Sequence, residues 1–291
     1  MPHSSGPVAP ATGLTRRLGL VGLAATGICS MLGAAINVVP FMLQRSVPGI
    51  GPYVLPAFMF AAVPAILAAL CYAILASAMP RAGGSYVYAS RGLHPYLGYV
   101  ASFSQWFGLS IAIGVVSYVL IPFLRDVVAA VGFDGAAAVL DTGPVRVGLA
   151  LTFLWVSVAI NMRGLKAYER VLVPLMALMF VLGGVVIVAG FMFDQGDFAA
   201  GLLAAEGVGV PAPPDVTIGW SGLLAASAIL FSSFIGFDSI AQAGGEAKNP
   251  GRNLPLAIGI AVITVGTFYM LFTAAVYHTV PWSFIAERAQ T

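Results

Sequence analysis

Gly27-Ile28-Cys29-Ser30-Met31-Leu32-Gly33-Ala34-Ala35-Ile36-Asn37 lies in the middle of the first long apolar run, where a membrane helix should be most regular. It is crowded with small residues, ends in an Asn, and has Pro40 just beyond. A helix interrupted here turns backbone N–H and C=O groups towards a cavity, which is tolerated at membrane depth only where protein or water covers them. Broken helices of this kind build the substrate sites of many secondary transporters. The competing reading is a small-residue face for close helix packing.

Composition excludes an ordinary soluble domain. Hydrophobic residues make up 59% of the 291 and charged residues only 8%, against about 25% charged in soluble domains. A net charge of +2 gives no footprint for nucleic acid. Cys29 and Cys71 both fall in apolar runs without metal-ligand spacing, so free thiols and no metal are expected. Residues 1–15 are rich in Pro, Ser, Ala and Gly and read as a disordered tail, not a signal peptide.

The charged residues delimit seven uncharged runs, all but the fourth longer than the ~20 residues a spanning helix needs. They predict spans near 19–43, 52–78, 96–122, 144–163, 171–193, 218–243 and 255–279. With the N-terminus inside, Arg16, Arg17, Arg81, Arg91, Arg163, Lys166, Arg170, Lys248 and Arg252 fall on the inner side. Only Arg45, Arg125, Arg146 and Arg288 fall outside. That bias predicts a cytoplasmic N-terminus, and seven spans then put Thr291 on the extracytoplasmic side; the expected location of this multi-pass protein is the cell membrane.

Between spans two and three, Pro80 to Tyr88 carries Pro80, Gly83 and Gly84 to end one helix. Ser85 is placed to cap a short amphipathic helix bearing Tyr86, Tyr88 and Arg91; the alternative is a plain loop with interfacial tyrosines. Residues 194–215, rich in Gly and Pro, read as an outer connector between two structural halves. Span six holds a second irregular stretch, Phe231-Ser232-Ser233-Phe234-Ile235-Gly236-Phe237-Asp238. An ionisable group in a membrane segment is a functional candidate by default. The alternative is that the helix ends at Asp238 in inner-leaflet water. No Ser–His pair, paired Asp or metal cluster in the spans suggests an enzyme.

These residues resemble the amino acid–polyamine–organocation superfamily of permeases. Gly33 to Asn37 with Pro40 is similar to its helix 1. Tyr72 to Tyr88 is similar to its helix 2 and inner loop. Asn161 and Gly164 fit its helix 4–5 junction. Phe234 to Asp238 with Glu246-Ala247-Lys248-Asn249-Pro250 is similar to its broken helix 6. The resemblance implies an all-α polytopic membrane protein of five-plus-five inverted repeats with helices 1 and 6 unwound. The first repeat would occupy 19–193 and the start of the second 218–279, within a permease domain of 16–291. It implies alternating-access transport of amino acids or related amines, without a cofactor.

Carried over by motif, Ser30, Met31, Gly33, Ala34 and Ala35 would hold a substrate carboxylate, as a helix terminus does. Phe231, Ser232, Phe234, Ile235 and Gly236 would face them from helix 6, with Phe103 and Phe107 from helix 3. Tyr99 and Asp238 match an inner gate in arginine-exchanging relatives. Ala35 and Asn37 stand where the family usually has Gly and Phe, which crowds the carboxylate site. Residues 171–193 lack the Lys through which some relatives couple to protons. The pocket residue types favour a neutral or apolar amino acid. The family usually has about twelve helices, so seven predict a second repeat that is truncated. Such a chain is a fragment, a half-transporter completed by a partner chain or a second copy, or a non-transporting membrane protein.

Overall fold

The computed structural model describes residues 16–33, 42–213 and 218–288, the side chains of 165 and 166 excepted. Of the expected features, the 1–15 tail and Ala34, Ala35, Asn37 and Pro40 lie outside the described residues. The fold is helical throughout: α1 (Leu20–Met31), a helical turn α2 at 42–46, α3 (Val54–Ala78), α4 (Ser85–Gly92), α5 (Pro95–Ala130), α6 (Asp134–Leu140) and α7 (Gly143–Met162). After these come α8 (Leu165–Met192), α9 (Gln195–Glu206), α10 (Trp220–Phe231), α11 (Asp238–Gln242), α12 (Pro250–Thr279) and α13 (Trp282–Arg288). Among the described residues, six helical segments are long and apolar enough to cross a membrane: Gly51–Ala78, Pro95–Ala130, Gly143–Met162, Ala167–Met192, Trp220–Gly245 and Pro250–Thr279. The protein is an all-α polytopic membrane protein.

The first expected span differs from the others. Its helix α1 has 12 residues, which at ~1.5 Å per residue gives about 18 Å, little more than half of a ~30 Å hydrocarbon core. Helix α10 also has 12 residues. It passes through a 3-10 turn, Ser232–Phe234, before the backbone becomes extended at Ile235 and left-handed at Gly236 (φ 139°). Helical structure resumes at Asp238, so the run does not end there.

The core lies where α12 packs on α3, α1 and α8, and where α10 packs on α3. Small residues make this approach possible. Ala57, Ala61, Ala65 and Ala69 recur every fourth residue on α3 and are all buried, facing a core that includes Ala257, Ala261 and Val265 of α12. Phe58, Phe234 and Tyr269 fill the space beside this ridge, with ring centroids 5.8 to 6.5 Å apart.

Both readings of the opening stretch find their place in α1. A Cβ at Gly27 would run into the Ile240 side chain and come within 3.2 Å of Ala261, so Gly27 is a packing residue. The helix stops four residues later, with Leu32 in an extended conformation. Elsewhere the details differ from expectation. Asp194 and Asp197 form a capping box that starts α9 inside the expected connector. The Ser85 hydroxyl does not cap α4. Gly84 takes the N-cap position, which puts Ser85 one residue inside the helix, and its hydroxyl lies 2.7 Å from the Tyr72 hydroxyl.

Replacing Gly27 by Val should overpack the α1–α11–α12 contact, costing about 1–3 kcal/mol and lowering the melting temperature in detergent. Gly148→Ala on α7 has nothing within 4 Å of the added Cβ and should be neutral or raise stability by up to about 1 kcal/mol.

Candidate functional site at the helix breaks

The two interruptions meet. A Cβ at Gly236 would lie 2.7 Å from the Ser30 carbonyl carbon and 2.9 Å from the Met31 nitrogen. Only a residue without a side chain, at a positive φ, fits this position. The orphan carbonyls at the end of α1 find two kinds of partner. Leu32 N–H donates to the Ile28 carbonyl at 2.7 Å. The buried Tyr269 hydroxyl of α12 donates to the Met31 carbonyl at 3.0 Å. On the other break, the Ser239 hydroxyl donates to the Gly236 carbonyl at 2.6 Å.

The sequence-expected residues divide into two sets around this junction. Met31, Phe234 and Gly236 are buried and form the joint. Ser30, Gly33, Ser232 and Ile235 are exposed beside it, with Phe231 half-buried. The Ser232 hydroxyl is occupied by the Ile229 carbonyl at 2.6 Å. Phe103 and Phe107 are not brought to the junction. They belong to a ladder on α5, Tyr99–Phe103–Phe107, with successive ring centroids 6.0 and 6.1 Å apart. That face is turned about a third of a turn from the face carrying Ser102, Gln105 and Leu109.

Asp238 sits at the start of α11, and its carboxylate accepts from Gln105 of α5 and, at 3.5 Å, from Gln242 of α11. Tyr99 is not among its partners in this conformation; its ring stacks on Phe103. Gln105 was missed from the sequence, although a polar side chain in the uncharged run from 96 to 122 is the kind of signal that marks such a position. Tyr269 carried no comparable signal.

Both ends of the broken helices are anchored. On one side Leu18 pairs with Ala247 as a parallel bridge, with Leu18 N–H donating to Glu246 at 3.0 Å and Lys248 N–H to Leu18 at 2.8 Å. On the other, the buried Gln44 of α2 donates to the Gly51 carbonyl at 3.1 Å and the Tyr277 hydroxyl at 2.8 Å. On α4, outside the spanning segments, burial and the neighbouring Tyr72 push the Tyr88 phenol up to about 12, so it stays protonated. No cluster of three or more metal-ligating side chains exists among the described residues.

An interrupted α1 joined at Gly236 to an interrupted sixth span coincides with a sequence match to the amino acid permease family over residues 18–291. The chain belongs to that family. It is 29% identical over 282 residues to the vacuolar cationic amino acid transporter 4 of Arabidopsis thaliana, covering 92% of this chain and 44% of that protein. It is 28% identical over 288 residues to cationic amino acid transporter 4 of Homo sapiens, covering 93% and 42%. It is also 28% identical over 289 residues to the chloroplastic cationic amino acid transporter 9 of Arabidopsis thaliana, covering 95% and 48%. The permease chain thus spans a little under half the length of these curated relatives.

Tyr269→Phe should remove the one donor that the described residues give the buried Met31 carbonyl and cost about 1–3 kcal/mol, read as a lower melting temperature in detergent. Gly236→Ala should cost more, because it adds a collision with the Ser30–Met31 backbone to the strain at φ 139°.

Proposed function

We propose that this permease carries amino acids, cationic ones included, across a membrane by alternating access around the joined breaks. The observation that carries the reading is Gly236 seated on the Ser30–Met31 backbone, which places two interrupted helices at one point of the core. The exposed residues beside it, Ser30, Gly33, Ser232 and Ile235, then line the substrate position together with Ala34 and Ala35. A carboxylate is suited to amide groups freed at such breaks.

The residue types at the breaks favour a neutral substrate, but Asp238 favours a cationic one. It is a carboxylate within a spanning segment, held by two amides and by no cation among the described residues. The relatives' names agree with the second choice. In the proposed cycle Asp238 exchanges its Gln105 contact for Tyr99 as the inner side closes. The five-plus-five inverted repeat, a cytoplasmic N-terminus and residence in the cell membrane belong to the same reading.

Proteoliposomes holding the purified chain should take up labelled arginine and lysine saturably, and leucine less well. Tyr99→Phe and Asp238→Asn should each lower the initial rate at least fivefold. Unchanged rates in both variants would remove the gate. Absence of uptake for every amino acid, alone or with a co-expressed C-terminal half from a relative, would contradict amino-acid carriage.

A further inference from the structure

A recess of about 450 Å³ opens between α4, α5 and α11, lined by Gly83, Tyr86, Ser102, Gln105, Trp106 and Gln242 among others. It is separate from the breaks: none of Ser30, Met31, Gly33, Phe234, Ile235 or Gly236 lines it. Both of its glutamines donate to the Asp238 carboxylate. A primary amide that spends its NH2 group in this way keeps its carbonyl oxygen as an acceptor. Neither Gln105 nor Gln242 has another side-chain hydrogen bond among the described residues. Asp238 therefore places its negative charge behind two amides that are hydrogen-bond acceptors on their other side.

The remaining walls carry two aromatic rings. Trp106 and Tyr86 both line the recess, and Trp is the best aromatic partner for a cation. No Lys or Arg lines the recess, and none of the three ion pairs among the described residues involves Asp238. Two amide carbonyls, two aromatic side chains and an unneutralised carboxylate form a set that suits a planar, weakly hydrated organic cation. The volume falls within the range of small-molecule sites.

We propose that this recess is a vestibular cation site, which takes the guanidinium or alkylammonium end of a cationic amino acid or amine apart from the amino-acid site at the breaks. It rests on the reading of the chain as an amino-acid carrier and adds a second station for the charged end of the substrate.

The test uses the full chain in lipid nanodiscs and equilibrium dialysis with radiolabelled n-butylguanidine. This probe has the side-chain cation but neither the carboxylate nor the α-amine that the breaks would hold. Saturable binding is expected, with no competition from neutral pentanamide at the same concentration. Asp238→Asn should weaken it at least tenfold, and Trp106→Ala and Tyr86→Leu at least threefold each. The two aromatic variants should melt within about 2 °C of the parent, since Trp106 and Tyr86 are 63% and 49% exposed. Absence of saturable binding, or binding unaffected by Asp238→Asn and Trp106→Ala, overturns the site. Arginine uptake by a chain that does not bind butylguanidine would sink the vestibule and leave the carrier standing. Butylguanidine binding by a chain that carries no amino acid would do the reverse.

Discussion

A carbonyl at the end of a helix must find a donor, and at the centre of a membrane protein no bulk water supplies one. The Tyr269 hydroxyl meets this need for Met31, and much of the architecture follows from that contact. It fixes where α1 stops relative to α12. It requires α12 to approach closely, which the small residues Gly27, Ala257 and Ala261 permit. It also sets the depth at which Gly236 must cross. An unpaired group there would cost about 1–3 kcal/mol, so the joint is specified more tightly than its apolar surroundings. Apolar packing alone discriminates poorly between registers in lipid.

The same economy governs charge. Asp238 is tolerated between spanning helices because Gln105 and Gln242 both point donors at it. Amides solvate a carboxylate without neutralising it, so the site keeps a negative potential that an arginine or lysine partner would have cancelled. That distinction separates a structural ion pair from a place where a mobile cation can dwell. The Leu18–Ala247 bridge and the Gln44–Tyr277 contact tie the two halves of the first span to opposite parts of the α11–α12 unit. Rocking of that unit would therefore carry both ends of the break along with it.

Much of this was legible in the sequence, for physical reasons. Charges are too costly to scatter through lipid, so their positions delimited the spans, and six of the seven fall on long apolar helices. The seventh is the first span, and its shortened helix was foreshadowed by Gly27 to Asn37. What the sequence could not separate was packing from interruption within one stretch: Gly27 does the former, and the residues after Met31 the latter. The Tyr269–Met31 bond was illegible because its partners are 238 residues apart and a tyrosine in an apolar run has many ordinary uses. Phe103 and Phe107 are expected at the site only through the family resemblance of the third span. The helical period puts them on a different face from Gln105, the residue that reaches Asp238. The capping box of α9 was readable, since Asp194 and Asp197 stand at the required spacing, but Gly and Pro further along drew the segment towards a loop.

The first and sixth spans are both interrupted, and water is expected to reach the interruptions from one side of the packed joint. Thiol accessibility measures this directly. In a background with Cys29 and Cys71 replaced by Ser, single cysteines at 28–33 and 230–236 would be exposed to a membrane-impermeant maleimide in sealed vesicles. Labelling is expected at 30, 33, 232 and 235, with protection at 28, 31 and 234. Uniform protection across both stretches, as two continuous lipid-embedded helices would give, would contradict the account.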